Sequence, residues 1–273
     1  MMFKLLKAGF FRLKKENIFW LFFCISVSFA IINIFRYYNS ESPVILDNIA
    51  NQFILYIGFL MAIFISTFVG KEYSEGIIRN KIIVGHSRMS IYLSKLIVTI
   101  LASVLCESIY IIIVLLVGTP LLGNLQMSVS QFAICILNTF LVITVYASIL
   151  NFIALICSEI TVSTIISILL CIIFFGLESY FGYVANSPKY TTHSYWEDGV
   201  EYIISKEPNP NYPGDDRVKL AKTIYFFIPQ GQASTICSIN MDNLLYKVPI
   251  SSLTLIIIFN IIGLYLFSKK ELK

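Results

Sequence analysis

Polar and apolar positions in this chain segregate into long blocks. Six blocks are almost wholly apolar, at residues 18–35, 50–69, 91–117, 130–157, 162–180 and 248–267. Each comes near or beyond the roughly 20 residues that a helix needs to cross the hydrocarbon core of a bilayer. The third and fourth exceed that length, so they tilt or run past the bilayer. The pattern predicts an all-α polytopic membrane protein, with six transmembrane helices in a single transmembrane domain over residues 1–273. The opening residues, 1–17, are amphipathic. Lys4, Lys7, Arg12, Lys14 and Lys15 gather on one side of a helical wheel, and Leu5, Leu6, Phe10 and Leu13 lie mainly on the other. Such a helix lies in the membrane interface, basic face toward anionic headgroups; it serves at least as a topogenic anchor.

Composition agrees with this reading. Hydrophobic residues make up 57% of the 273 and charged residues 13%, about half the charged fraction of a soluble domain. The net charge of +4 is too small to point to nucleic acid, and its distribution matters more than its sum. Lys and Arg concentrate in the N-terminal segment, in the loop after the second block (Lys71, Arg79, Lys81, Arg88) and at the C-terminus (Lys269, Lys270, Lys273), whereas the opposite short loops hold only Arg36. With six spans these basic segments fall on one side, which places both termini in the cytoplasm. No small-residue cleavage pattern follows the first block, so that span is expected to be retained. The abundance of Ile, Asn and Lys fits an AT-rich bacterial source, and the expected location is a bacterial plasma membrane, crossed several times.

Between the fifth and sixth blocks, residues 181–247 are polar and aromatic, with six basic and seven acidic residues. They form a large extracellular loop before the last span, read either as a structured cap or as a substrate-contacting gate. Within it, residues 217–227 predict a short helix stopped by Pro229 and Gly231. Of the six cysteines, Cys24, Cys106, Cys135, Cys157 and Cys171 lie in or beside apolar blocks, where cysteine acts as a small hydrophobe. Cys237 falls in the outer loop without an evident disulfide partner.

Few polar groups enter the blocks. Glu107 stands ~18 Å along its helix from Lys95, and Asn138 ~12 Å below Ser130, so the two share a depth at which they can hydrogen-bond. An ionisable side chain there points to function, and a polar clamp between helices competes with the lining of a substrate path. Glu159 occupies the short turn between the fourth and fifth blocks, at the cytoplasmic edge, where it is able to meet a basic residue of the polar loop. Ser163, Thr164 and Ser167 form a mildly polar stripe, read as helix packing or as a pathway face. No phosphate-binding G-x-x-x-x-G-K-[ST], no H-E-x-x-H and no G-x-S-x-G is present. The two histidines, His86 and His193, fall on opposite sides of the membrane, so no metal site is expected and catalysis by this chain alone is not expected.

The densest polar run, GKEYSEGIIRNKIIVGHSR at residues 70–88, resembles the cytoplasmic loop of type-2 ABC exporter permeases. The resemblance rests on Glu72, Tyr73, Gly76, Ile78, Arg79, Asn80, Lys81, Gly85, Ser87 and Arg88, with Ile77 where the family usually has Thr. It extends over the chain in the amphipathic start, the six spans, the internal termini and the outer loop. The resemblance implies that residues 70–90 hold a cytoplasmic coupling helix resting on a separate ATPase subunit. It implies two copies of that ATPase, which would carry ATP and Mg, and a second permease copy in a homodimer or close heterodimer, with spans 2 and 5 lining the path; this chain itself would bind no cofactor. Ile77, Ile78, Ile82 and Ile83 are expected to anchor the coupling helix to its own bundle, and Gly76 and Gly85 to permit bends at its ends. The function so implied is ATP-driven export of an amphipathic cargo, a peptide antibiotic, toxin or lipid. A membrane-embedded lipid- or prenyl-processing enzyme using Glu107 or Glu159, and a sensor or scaffold using the outer loop, are the alternatives.

Overall fold

Helices carry all six apolar blocks in the computed structural model, which describes residues 2–39, 46–157, 159–197 and 200–270. Helix α1 (Met2–Lys15) buries Leu5, Gly9 and Leu13, spaced by four residues, and leaves its lysines exposed. Glu16 breaks the helical path, and α2 (Asn17–Tyr38) is the first span. The short α3 (Leu46–Ala50) leads into α4 (Ile54–Ser74), the two together making the second span. After α5 (Ile77–Ile83) comes α6 (Arg88–Ile113), continued through a π-helical turn at Val114–Gly118 into α7 (Thr119–Leu122). Helix α8 (Val129–Ile156) starts with a capping box, Ser128 and Gln131 each satisfying the other's backbone N–H. Helix α9 (Ile160–Ala185) is the fifth span, and the sixth is α12 (Val248–Lys269) with the π turn at Asn243–Lys247 that precedes it. The chain is therefore an all-α, multi-pass membrane protein.

Helices α4 and α8 are the most enclosed spans, and α9 is the most exposed. Helix α8 packs on α4 and α12, α4 also packs on α9, and α1 lies across α6. In lipid there is no hydrophobic drive between apolar helices, so small residues and polar contacts hold them together. The Tyr146 ring of α8 closes on Gly58 of α4, where an added Cβ would stand 2.7 Å from it. Ser66 of α4 donates to Ser167 of α9 at 3.1 Å. Asp47 accepts from the backbone N–H of Gln126 and Met127, joining the start of the second span to the loop before α8.

The 181–247 stretch is more ordered than the word loop conveys. Helix α9 runs on to Ala185, and an antiparallel hairpin follows, β1 (Tyr190–Glu197) with β2 (Val200–Pro208). Then come α10 (Asp215–Phe227), packed on α9, and α11 (Pro229–Cys237), packed on α8, α9 and α4. Pro229 and Gly231 do not simply stop the expected helix. The break falls at Ile228, Pro229 opens α11 and Gly231 lies inside it, because proline suits the first turn of a helix. Helix α11 is largely buried. Gln230 accepts from the Tyr146 hydroxyl at 2.9 Å and donates to the Leu55 carbonyl, and Gln232 joins the Phe226 carbonyl to Ser251 and Ser252 of α12.

Candidate functional site

At the end of the bundle that carries both termini, local chain chemistry builds a short, rigid helix. Gly76 takes the left-handed conformation (φ +67°) and turns the chain out of α4 into α5. At the other end Gly85 is also left-handed (φ +94°). The Gly85 N–H bonds to the Ile82 carbonyl and the His86 N–H to that of Lys81, so the helix closes with both bonds of a Schellman motif. Ser87 then caps α6 by accepting from the Ser90 N–H.

Side chains from four elements meet behind α5. Glu72, at the end of α4, is buried, and its carboxylate pairs with Arg12 of α1 (2.7 Å), Lys81 of α5 (2.7 Å) and Lys95 of α6. Arg12 also reaches Glu16 at 3.1 Å, and Lys71 holds the other oxygen of Glu16 at 2.7 Å. The guanidinium of Arg12 and the ammonium of Lys95 each stand 5.3 Å from the centroid of the Phe68 ring, a cation–π support. Buried charge is tolerated only when paired and hydrogen-bonded, and Glu72 is the hub that meets that condition. Burial lowers the Lys81 pKa, and the Arg12 charge acts in the same direction.

A second fastening comes from the C-terminus. Arg88 donates to the carbonyls of Phe267 and Lys270. Lys270 donates to the carbonyls of Leu155 and Ile156 and stacks over Tyr73 at 4.1 Å. The ends of α4, α8 and α12 are joined in this way to the start of α6.

The motif residues thus divide by direction. Glu72, Tyr73, Lys81 and Arg88 are engaged with their own chain, while Arg79 and Asn80 are exposed, as are Gly85 and Ser87. Ile78 is buried and anchors α5, and Ile77 and Ile82 are partly buried. Ile83, expected to anchor it too, is 72% exposed, and Val84 is 75% exposed. The reason is helical phase: Ile83 lies four residues after Arg79 and shares its outward face. Sequence reasoning missed Arg12, Glu16, Phe68 and Lys270 as parts of this site. The one available signal was a lysine, Lys95, set inside an apolar block.

Burial alone would raise the Glu16 pKa, but the hydrogen bond from Lys71 and the charges of Arg12 and Lys71 outweigh it and hold the carboxyl below its usual range. A lowered carboxyl pKa means that stability from this group is present above the unfolded-state pKa and fades as pH falls through the folded one. Glu16→Gln should therefore cost at most about 1 kcal/mol at neutral pH, because Lys71 is partly solvated. The gap from wild type should close on acidification below the carboxylate range, as read from thermal unfolding of the two proteins across pH. A gap that persists or widens in acid would remove Glu16 from this account.

Elsewhere the polar residues of the spans part company. Asn138 donates to the carbonyls of Ile134 (2.8 Å) and Leu244 (3.0 Å) and does not meet Glu107. The π turn before α12 packs against α8 and takes the amide that Glu107 was expected to share. Glu107 is fully buried, with no hydrogen-bond partner among the described residues. On α11, burial raises the pKa of the Cys237 thiol. Glu159 is exposed and makes no ion pair among the described residues. Ser167 packs on α4, Ser163 is buried beside it, and Thr164 donates to the Ile160 carbonyl of its own helix. No cluster of metal-ligating side chains occurs among the described residues.

The family model described as ABC-2 family transporter protein matches residues 5–186, which run from α1 to the end of α9. The chain belongs to this family and is the membrane-spanning permease component of an ABC transporter. No curated protein matches the chain.

Proposed function

We propose that this permease is driven by a separate ATPase subunit and exports an amphipathic cargo, with α5 as the coupling helix. The observation that carries this reading is the two-sided character of α5. One side is fastened through Lys81 to Glu72 and through Ile78 to the core; the other presents Arg79, Asn80, Ile83 and Val84. An exposed pair of aliphatic side chains beside a cation and an amide suits a groove on a protein partner, where apolar contact supplies affinity and charge sets register. In this reading the terminus-bearing end faces the cytoplasm of a bacterial cell. Closure of two ATPase subunits would push on α5, and the Glu72 cluster would carry the displacement into α1, α4 and α6 together. The exposed apolar flanks of α2, α9 and α12 leave room for a second permease copy, identical or closely related.

Arg79→Glu combined with Ile83→Asp is expected to reduce the ATPase recovered with the permease from mild detergent by about tenfold or more, without lowering the permease's own thermal stability. The reading fails if no companion bearing a phosphate-binding loop copurifies with the wild type under crosslinking, or if the double variant retains it in full.

A further inference from the structure

At the end of the bundle opposite the termini, α10 and the first turns of α12 enclose a groove of about 630 Å³. Its apolar surface is formed by Val218, Phe226, Phe227 and Ile250, and Lys219, Lys222 and Lys247 stand along it. Adjoining it is a smaller hollow of about 270 Å³ whose lining is mostly amide and hydroxyl, including Asn186, Thr235, Ser238, Asn240 and Asn243. The two cavities share Lys222, Phe226 and Lys247, so two lysines line both the apolar space and the polar one. The Lys247 ammonium lies 5.2 Å from the centroid of the Phe226 ring, which steadies it at this junction. The one carboxylate in the groove lining, Asp215, is already engaged by Lys189 (3.0 Å) and by the Tyr212 hydroxyl (2.5 Å). These contacts hold its pKa below the usual range, the Tyr212 hydrogen bond first. It therefore stays ionised and paired, and leaves the three rim lysines without an opposing charge in the groove.

We propose that this junction binds a phosphate-bearing, anionic amphiphile of the outer leaflet. The phosphate sits between Lys222 and Lys247, the apolar chain lies over Phe226, Phe227 and Ile250, and the polar headgroup enters the amide- and hydroxyl-lined hollow. Each part of such a molecule meets its own chemistry: apolar surface leaves water, hydroxyls find hydrogen-bond partners, and the anion meets two cations at a membrane surface. A cationic peptide would meet like charge at the same place and is disfavoured there. The assignment deepens the exporter reading by naming a chemical class at the outer mouth of the permease, and it relies on that reading for the sidedness alone.

The test uses the full-length permease without any ATPase, reconstituted in vesicles containing a photoactivatable phosphatidylglycerol or the matching phosphatidylcholine, with adducts mapped by mass spectrometry. Labelling within residues 215–227 and 247–251 should favour phosphatidylglycerol by about tenfold. Lys222→Gln with Lys247→Gln should bring it down to the phosphatidylcholine level, while Lys222→Arg with Lys247→Arg should keep the preference. Both lysines are exposed, so these variants should fold, and Lys4→Gln with Lys7→Gln at the other end should leave labelling at these peptides unchanged. Equal labelling by the two lipids, or a preference that survives the double Gln variant, overturns the proposal. So does suppression by millimolar inorganic phosphate as complete as that by unlabelled phosphatidylglycerol, since the site would then hold a free anion. A permease that shows the lipid preference but recovers no ATPase sinks the exporter reading alone, and the opposite result sinks only this site.

Discussion

Glu72→Gln is expected to destabilise the purified permease by about 3–5 kcal/mol and to abolish transport in cells, although the side chain never reaches a partner. Glu72 pairs with Arg12, Lys81 and Lys95, and Lys95 is itself buried within α6. Neutralising the hub strands that ammonium in a poorly solvated place and leaves the Arg12 guanidinium with Glu16 alone, and the lost attraction is the smaller part of the cost. Helix α5 loses its ion-pair fastening to α4 at the same stroke, leaving Ile78 as its buried anchor. Denaturant titration in micelles reads the stability. A second variant, Glu72→Gln with Lys95→Met, separates the two effects: it removes the stranded charge and should recover much of the stability, yet not transport, because Lys81 still has no hub to push against. If Glu72→Gln unfolds within about 1 kcal/mol of the wild type, the cluster does not organise this end of the bundle.

Gly231→Ala should be the most damaging small substitution at the other end. A Cβ at Gly231 would overlap the Tyr225 carbonyl oxygen, a backbone atom that cannot rotate away. Overpacking of this kind costs typically 1–3 kcal/mol and sometimes more, and a backbone obstacle puts this site at the upper end. Helix α11 must move, and its neighbours Gln230 and Gln232 are the residues that tie it to α4, α8 and α12. The expected readouts are a lowered unfolding temperature and proteolysis between α10 and α12. Gly176→Ala is the control. That glycine lies in α9 with nothing within 4 Å of the added carbon, so the change should be neutral or stabilising through better helix propensity. Equal behaviour of the two variants would mean that α11 is not held where the geometry puts it.

The ion-pair hub shows how much of the site sequence reasoning reaches. The run from Glu72 to Arg88 is conspicuous because charges stand between apolar blocks; that it holds a helix was implied by the resemblance to exporter permeases, and its two glycines permit the bends at the ends. Its partners are invisible by the same logic. Arg12 reads as one of several basic residues of an amphipathic start, and Lys95, though conspicuous inside an apolar block, carries no sign of the carboxylate it faces. Depth arithmetic likewise set Glu107 and Asn138 level, but carried no information about the turn at Asn243–Lys247 that takes the Asn138 amide.

The short helix between Gly76 and Gly85 was legible only through the resemblance to exporter permeases; distance along the chain was enough for the rest, six apolar lengths that match a bilayer and a basic amphipathic start. These follow from local backbone preferences and from the cost of placing polar groups in lipid. Packing between the helices settled which way each charge points. It turned Glu72 inward and Ile83 outward, drove α11 into the bundle, and brought Lys222 and Lys247, 25 residues apart in the chain, to the lining of the same two cavities. Side-chain direction is a property of packing between elements distant in sequence, and no local preference encodes it.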